Sequence, residues 1–185
     1  MTAAQEDLVR PRDEFRGSLE SAEPLEIDTP RVEDGAAIWR IARDSEVLDL
    51  NSSYSYLLWC RDFAATSVVA RGPGGEPIAF VTGYVRPDRP EALVVWQVAV
   101  DKAHRGRGLA GILLDALTAK VAGGRGVREI ETTITPDNTA SDRLFTSYAQ
   151  RHDAPLSREV LFDGELFPEG THQPEVLYRI GPIAA

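Results

Sequence analysis

The run Leu93-Val-Val-Trp-Gln-Val-Ala-Val100 is followed by Asp101-Lys-Ala-His-Arg105-Gly-Arg-Gly-Leu-Ala110, and then by apolar residues at Ile112, Leu113, Ala116 and Leu117. The first stretch suits a buried strand, and the spacing of the last predicts a helix. Between them Gly106 and Gly108 permit a tight turn that bares backbone N–H groups, beside the charges of Arg105 and Arg107. A strand, a glycine turn and a positive helix start together grip phosphates.

The remaining periodicities place this unit in a larger order. Leu25 to Arg31 is expected as a short strand. Two helices follow, one opened by Glu33 and Asp34 with Ala37, Ile38, Ile41 and Ala42 on one face, the other capped by Asn51 or Ser52. Ser67 to Ala70 and Pro77 to Arg86 form a hairpin about Gly72-Pro-Gly-Gly75, and Ala92 to Val100 is the central strand. The phosphate-gripping helix, ended by Gly123-Gly-Arg-Gly126, leads to a strand over Val127 to Thr135 and a helix over Asn138 to Gln150. Short strands at Val160 to Phe162 and Val176 to Ile180 complete the chain. This β-α-α-β-β-β-α-β-α-β-β order implies an α/β (α+β mixed) fold, a mixed sheet with helices on both faces.

At 185 residues the chain is long enough for one domain with an appendage. Residues 1–24 are rich in charge and poor in periodic apolar residues, which predicts a disordered tail before a single domain over 25–185. A net charge of -9 without a basic cluster argues against nucleic acid as a partner. No apolar run is long enough to span a membrane or follows a basic signal-peptide start, so the chain reads as cytoplasmic. The single cysteine, Cys60, excludes an internal disulfide and sits in an apolar run as a buried thiol. His104, His152 and His172 are dispersed, with no metal-ligand spacing.

Gly106-Arg-Gly108-Leu-Ala-Gly111 also satisfies the dinucleotide fingerprint G-x-G-x-x-G, with Glu131 downstream. Residues Asp101 to Arg105, however, separate strand from glycines, and too few β-α units follow to complete a doubly wound sheet. Started at Arg105, as Arg105-x-x-Gly108-x-Ala110, the same loop resembles the acyl-CoA motif of the GCN5-related N-acetyltransferases, and Asn138-x-x-Ser141-x-x-Leu144-Phe145 resembles that family's later signature. The resemblance covers Leu25 to Ile180 and implies the GNAT fold, with a central, mostly antiparallel sheet, and acetyl-CoA as cosubstrate. It assigns Val98 and Val100 to the pantetheine arm, Arg105, Gly106, Arg107, Gly108, Leu109 and Ala110 to the pyrophosphate, and Asn138 and Ser141 to the coenzyme side of the site. It also makes a homodimer reasonable. Phe145 stands where the family often carries an acid-catalytic tyrosine; Tyr148, one turn on, either replaces it or packs in the core.

Within the family, Asp49-Leu-Asn-Ser-Ser-Tyr54, Val95 to Val100, Glu131-Thr-Thr133 with Pro136-Asp-Asn138, and Phe167-Pro168 resemble the branch that acetylates the γ-amino group of L-2,4-diaminobutyrate in ectoine biosynthesis. A diamino acid needs carboxylates and an aromatic face for its ammonium groups and donors for its own carboxylate. Asp49, Tyr54, Trp96, His172 and Glu175 are the matching candidates, with Asn51 and Thr133 as further donors. Each also has a plain structural use: Asp49 as a turn cap, Tyr54 as helix packing, Trp96 as sheet core, His172 in a turn, Glu175 as a solvated charge. Glu131 faces site or solvent according to register. The attacking ammonium must lose a proton and the oxyanion needs a donor; Glu175 or Asp49 is expected as base and the Val98 N–H as donor.

Overall fold

The computed structural model describes residues 25–168 and 170–183; the tail expected over residues 1–24 lies outside them. The elements are β1 (Glu26–Asp28), α1 (Gly35–Ser45), α2 (Ser53–Asp62), β2 (Val68–Arg71), β3 (Pro77–Val85), β4 (Ala92–Val100), α3 (Leu109–Arg125), β5 (Glu129–Ile134), α4 (Thr139–Arg151), β6 (Leu156–Phe162) and β7 (Glu175–Ile180). They form one sheet in the order β1-β2-β3-β4-β5-β7-β6. Every pairing is antiparallel except β4 with β5.

A parallel pair requires a crossover, and α3 supplies it on one face of the sheet. There Leu109, Leu113, Leu114, Leu117 and Val121 pack with Val81, Leu93, Val95 and Ile130, joined by Phe145 and Tyr148 of α4. On the other face Ile38, Ile41 and Ala42 of α1 and Tyr56 and Cys60 of α2 cover Val69, Phe80 and Ala99. The hydrophobic effect drives both layers together, the sheet burying each side under a pair of helices.

The feature that shapes the site is a bulge in β4. Thr82 pairs with Gln97 and Gly83 with Val95, so Trp96 is an extra residue with no partner on β3. Glycine at 83 is what admits the bulge, because a Cβ there would stand 2.7 Å from the Val94 carbonyl oxygen. Past the bulge the alternation of β4 is shifted by one. Leu93 and Val95 face α3 before it, Val98 and Val100 after it, while Gln97 and Ala99 turn to the α1–α2 side. Trp96 and Gln97, neighbours that strict strand alternation would place on opposite faces, therefore both reach toward α2.

The parallel ladder pairs Ala92–Val94 with Glu129–Glu131, and none of the described residues continues it. Beyond Val94 the two strands part. The Asp101 N–H donates to the Ile78 carbonyl at 2.8 Å, so by alternation Ala99 and Gln97 bond to β3 while the N–H and C=O groups of Val98 and Val100 point into the gap. The Arg105 Nε, which reaches the Val100 carbonyl at 3.1 Å from outside the sheet, agrees with that orientation.

Two expectations need correction. Helix α3 does not stop at Gly123; it continues through Gly124 to Arg125 and ends where Gly126 adopts a left-handed φ of 68°. Burial of Val121 and Ala122 offsets the cost of about 1 kcal/mol per helical glycine. Strand β6 begins at Leu156 rather than Val160, its mostly exposed side chains hiding the strand signal while its ladder with β7 creates it. Asp34 stands at the N-cap of α1 as expected, but its side chain makes no capping bond; it is buried in a bidentate pair with Arg71, at 3.0 and 2.9 Å, and accepts from the Arg31 N–H at 2.7 Å.

Candidate active site

Two depressions flank the free edge of β4. The first, a groove at the α3 end, is lined by Val100, His104, Arg105, Gly106, Gly108, Leu109, Ala110, Gly111, Ala140, Arg143, Leu144, Ser147 and Arg151 among others. Gly106 and Gly108 hold φ of 77° and 73°, and a Cβ at either would meet no atom within 4 Å. Glycine is required here by backbone conformation and not by space. Gly108 caps α3, its carbonyl accepting from the Ile112 N–H at 3.1 Å. The amides of the first turn have no acceptor within the helix and face an anion there. Arg105, Arg143 and Arg151 give the groove its positive charge, with Asp115 opposing. The fit to an acyl-CoA, a polyanion on a long flexible arm, lies in these donors and in the free backbone edge of β4.

The second depression, a cleft of about 980 Å³, opens at the bulge. Its acids are Glu46, Asp49, Asp88, Glu131, Asp137 and Glu175, against Arg86 as the arginine among its lining residues. Trp96 lies on its wall, 51% exposed, its ring 6.1 Å from that of Trp59 and nearly parallel to it. Phe63 and Tyr84 extend the aromatic ledge. On the opposite wall His172 stacks on Phe167, ring centroids 3.8 Å apart. Its Nδ1 contacts the Gln173 carbonyl at 2.5 Å, which makes that nitrogen the protonated one and turns Nε2 toward the cleft. Nε2 is 3.8 Å from Glu175 Oε1 and 4.0 Å from Asp49 Oδ2.

The family profile for "Acetyltransferase (GNAT) family" matches residues 34–149. The chain belongs to the acetyltransferase (GNAT) family. It is 77% identical over 184 residues to an L-2,4-diaminobutyric acid acetyltransferase of Streptomyces anulatus, covering 100% of this chain and 99% of that one. A second, from Streptomyces coelicolor, is 70% identical over 161 residues, covering 87% and 95%. Among solved structures, the diaminobutyrate acetyltransferase EctA of Paenibacillus lautus, in complex with its substrate L-2,4-diaminobutyric acid and coenzyme A, is similar with a TM-score of 0.82. It is 40% identical, covering 88% of this chain and 97% of that one.

In this GNAT chain the expected residues divide. Asp49, Trp96, His172 and Glu175 come together in the cleft with Asn51, Glu131, Thr133 and Asn138. Asp49 does not cap α2, whose N-cap is Ser52. Tyr54 stays outside, 64% exposed on the first turn of α2. Arg105, Gly106, Gly108, Leu109 and Ala110 line the groove with Val100, whereas the exposed Arg107 side chain does not. Asn138 and Ser141 form a capping pair, the Asn138 side chain accepting from the Ser141 N–H at 3.0 Å. Tyr148 is core: 1% exposed, it donates its hydroxyl to Thr118 Oγ1 at 3.0 Å, and burial pushes its pKa up. Phe145 is buried as well. Cys60 is buried and its thiol is pushed up to about 11 by burial and by the charges of Asp34 and Glu33, which leaves no thiolate for chemistry.

Glu131 resolves toward the cleft, buried at its floor. Burial pushes its carboxyl up, but Arg86 and Arg179, at 3.1 Å each, with Arg89 at 2.8 Å, hold it below the usual carboxylate range. Sequence reading missed these arginines, which come from two separate segments, the β3–β4 connection and β7. It also missed Arg143 and Arg151, although Arg143, Ser147 and Arg151 recur at i, i+4 and i+8 on α4, a spacing that puts all three on one face.

Proposed function

We propose that this enzyme transfers the acetyl group of acetyl-CoA to the γ-amino group of L-2,4-diaminobutyrate, giving N4-acetyl-L-2,4-diaminobutyrate for ectoine biosynthesis. One observation carries the reading: along a single strand edge, a basic groove gives way to an acidic, aromatic cleft. A polyanionic donor fits the first and a diammonium acceptor the second. The high identity to the Streptomyces enzymes of that name supports the choice of acceptor.

In this reading the first-turn amides of α3 and Arg105 hold the pyrophosphate, and the edge of β4 from Val100 to Val98 carries the pantetheine arm. Acetyl-CoA supplies an activated acyl carbon. The Val98 N–H stabilises the negative charge that develops on the acyl oxygen. Asp49 and Glu175 attract the two ammonium groups, Trp96 offers a π face, and Asn51 and Thr133 donate to the acceptor carboxylate. The proton of the attacking ammonium passes to Glu175 or Asp49, directly or through water. Phe145 and Tyr148 leave no acid on α4 for the departing thiolate, so its proton comes from solvent.

We further propose a cytoplasmic homodimer. The cytoplasm is where acetyl-CoA is available, and the edge strand β6 leaves Val160, Leu161 and Phe162 exposed, an apolar edge that proteins seldom leave uncovered. Light scattering at micromolar concentration tests the dimer. Thiol release from acetyl-CoA with diaminobutyrate, ornithine, lysine and aminoglycosides tests the acceptor. Preference for diaminobutyrate is the expected result, and equal rates with the others would overturn it.

A further inference from the structure

A buried polar relay joins α2, the bulged strand and the loop that carries Asp49. The Tyr56 hydroxyl donates to Gln97 Oε1 at 3.1 Å, and Gln97 Nε2 donates to the Asp49 backbone carbonyl at 2.9 Å. Tyr56 is 1% exposed and Gln97 7%, so the bond between them is shielded from water, while the Gln97 bond to the Asp49 loop lies at the cleft margin. The layer around them is otherwise apolar, built from Ile38, Ile41, Phe80 and Ala99. Packing alone would be served by leucine. An amide is needed only where one side chain must accept at one end and donate at the other.

The relay spans the two halves of the chemistry. Gln97 lies between Trp96, which faces the cleft, and Val98, whose N–H faces the gap. By holding the Asp49 carbonyl it sets how far the Asp49 carboxylate stands from the strand that presents the acyl group. The Asp49 side chain is 93% exposed, so the backbone clamp is what restrains it.

We propose that Gln97 is a positioning residue for the acceptor, clamped by Tyr56, which fixes the Asp49 loop against β4 and thereby selects the length of the diamino acid. This rests on the reading of the substrate given above. Ornithine, one methylene longer, places its amine differently for the same anchoring of its other end. A loosened Asp49 loop tolerates both lengths.

The test compares wild type with Gln97→Leu, Gln97→Glu and Tyr56→Phe in steady-state kinetics on diaminobutyrate and ornithine, with acetyl-CoA varied separately. Gln97→Leu removes both bonds, and Gln97→Glu keeps an acceptor for Tyr56 while losing the donor to Asp49. Each is expected to raise KM for diaminobutyrate about 10-fold, the scale of one lost buried hydrogen bond, and to cut the preference over ornithine by a similar factor. KM for acetyl-CoA should stay within about twofold. Tyr56→Phe, nearly isosteric, should move the same quantities in the same direction by less, and it supplies the answer if the Gln97 variants fail to fold. An unmoved acceptor KM and preference would overturn the proposal, as would a parallel rise in both KM values, the mark of a packing residue. Wild type is assayed first. If it fails to favour diaminobutyrate, the substrate reading falls and the proposal with it; if it does favour it and the variants do not differ, only the role of Gln97 falls.

Discussion

His172 Nε2 stands 3.8 Å from Glu175 Oε1, beyond direct hydrogen-bond distance but near enough for one ammonium group or one water to bridge them. Replacing Glu175 with glutamine keeps the shape and removes the charge. The expected result is a fall in kcat of about 100-fold or more, the usual scale for a lost acid–base group. Calorimetry should find acetyl-CoA affinity unchanged, because Glu175 does not line the coenzyme groove. Full turnover in Glu175→Gln would remove it from the chemistry.

Arg105 contributes at the other depression, where it lines the groove and reaches the Val100 carbonyl. Arg105→Ala should weaken acetyl-CoA binding about 10-fold, as expected for one charge-assisted contact, with the unfolding midpoint unchanged. Titration calorimetry and a thermal melt read both quantities. Wild-type affinity would place the pyrophosphate elsewhere.

Gly83 is a stricter position. A Cβ there would meet the Val94 carbonyl oxygen at 2.7 Å and the Thr66 carbonyl oxygen at 3.2 Å, both backbone atoms that cannot swing aside. Gly83→Ala should cost about 1–3 kcal/mol of stability in denaturant unfolding. It should also raise KM for the acceptor, because the bulge that carries Trp96 must shift. A neutral substitution would show that the bulge does not depend on this contact.

Acid should unfold the protein through Asp34. Burial pushes this carboxyl up, but hydrogen bonds from Arg71 and the Arg31 N–H outweigh it and leave the folded pKa below the ordinary value. A depressed carboxylate contributes stability above its unfolded pKa, about 3.9, and loses it as pH falls through the lower folded value. The melting temperature should therefore decline as pH drops below about 4, and less steeply in Asp34→Asn. Asp34→Ala, which strands Arg71 in the interior, should cost about 3–5 kcal/mol at neutral pH. An identical pH slope in wild type and Asp34→Asn would assign the acid sensitivity to other groups.

Cys60 offers a control on mechanism. With a buried thiol pushed up to about 11, it is not a nucleophile, and Cys60→Ala should keep kcat within about twofold. Loss of turnover with an intact fold would point to a covalent route through an acyl-enzyme.

What could be read from residues alone followed locality. Ala92 to Val100 was legible to the residue, because a run apolar but for Gln97 and bounded by Glu91 and Asp101 has one regular solution, a buried strand. The coenzyme loop was legible because its glycines, arginine and helix start are contiguous. The bulge was not: an inserted residue at Trp96 looks like ordinary alternation until the partner strand is seen. Nor were Arg86, Arg89 and Arg179 around Glu131, or the meeting of Asp49 with His172, because their segments approach only through the sheet order. Tyr56 was not legible as a partner of Gln97, because nothing local to α2 says which of its tyrosines meets the sheet. The helix leaves the Tyr54 ring exposed and buries the Tyr56 hydroxyl against Gln97.

The acids of the cleft also bear on what happens after transfer. Acetylation converts one ammonium of the acceptor into a neutral amide, so on the proposed reaction the molecule that leaves carries one positive charge fewer than the one that entered. Attraction from Asp49 and Glu175 falls accordingly. The same carboxylates that draw the diamino acid in hold its product less tightly, and the wall of the cleft thereby acts as an exit as well as an entrance.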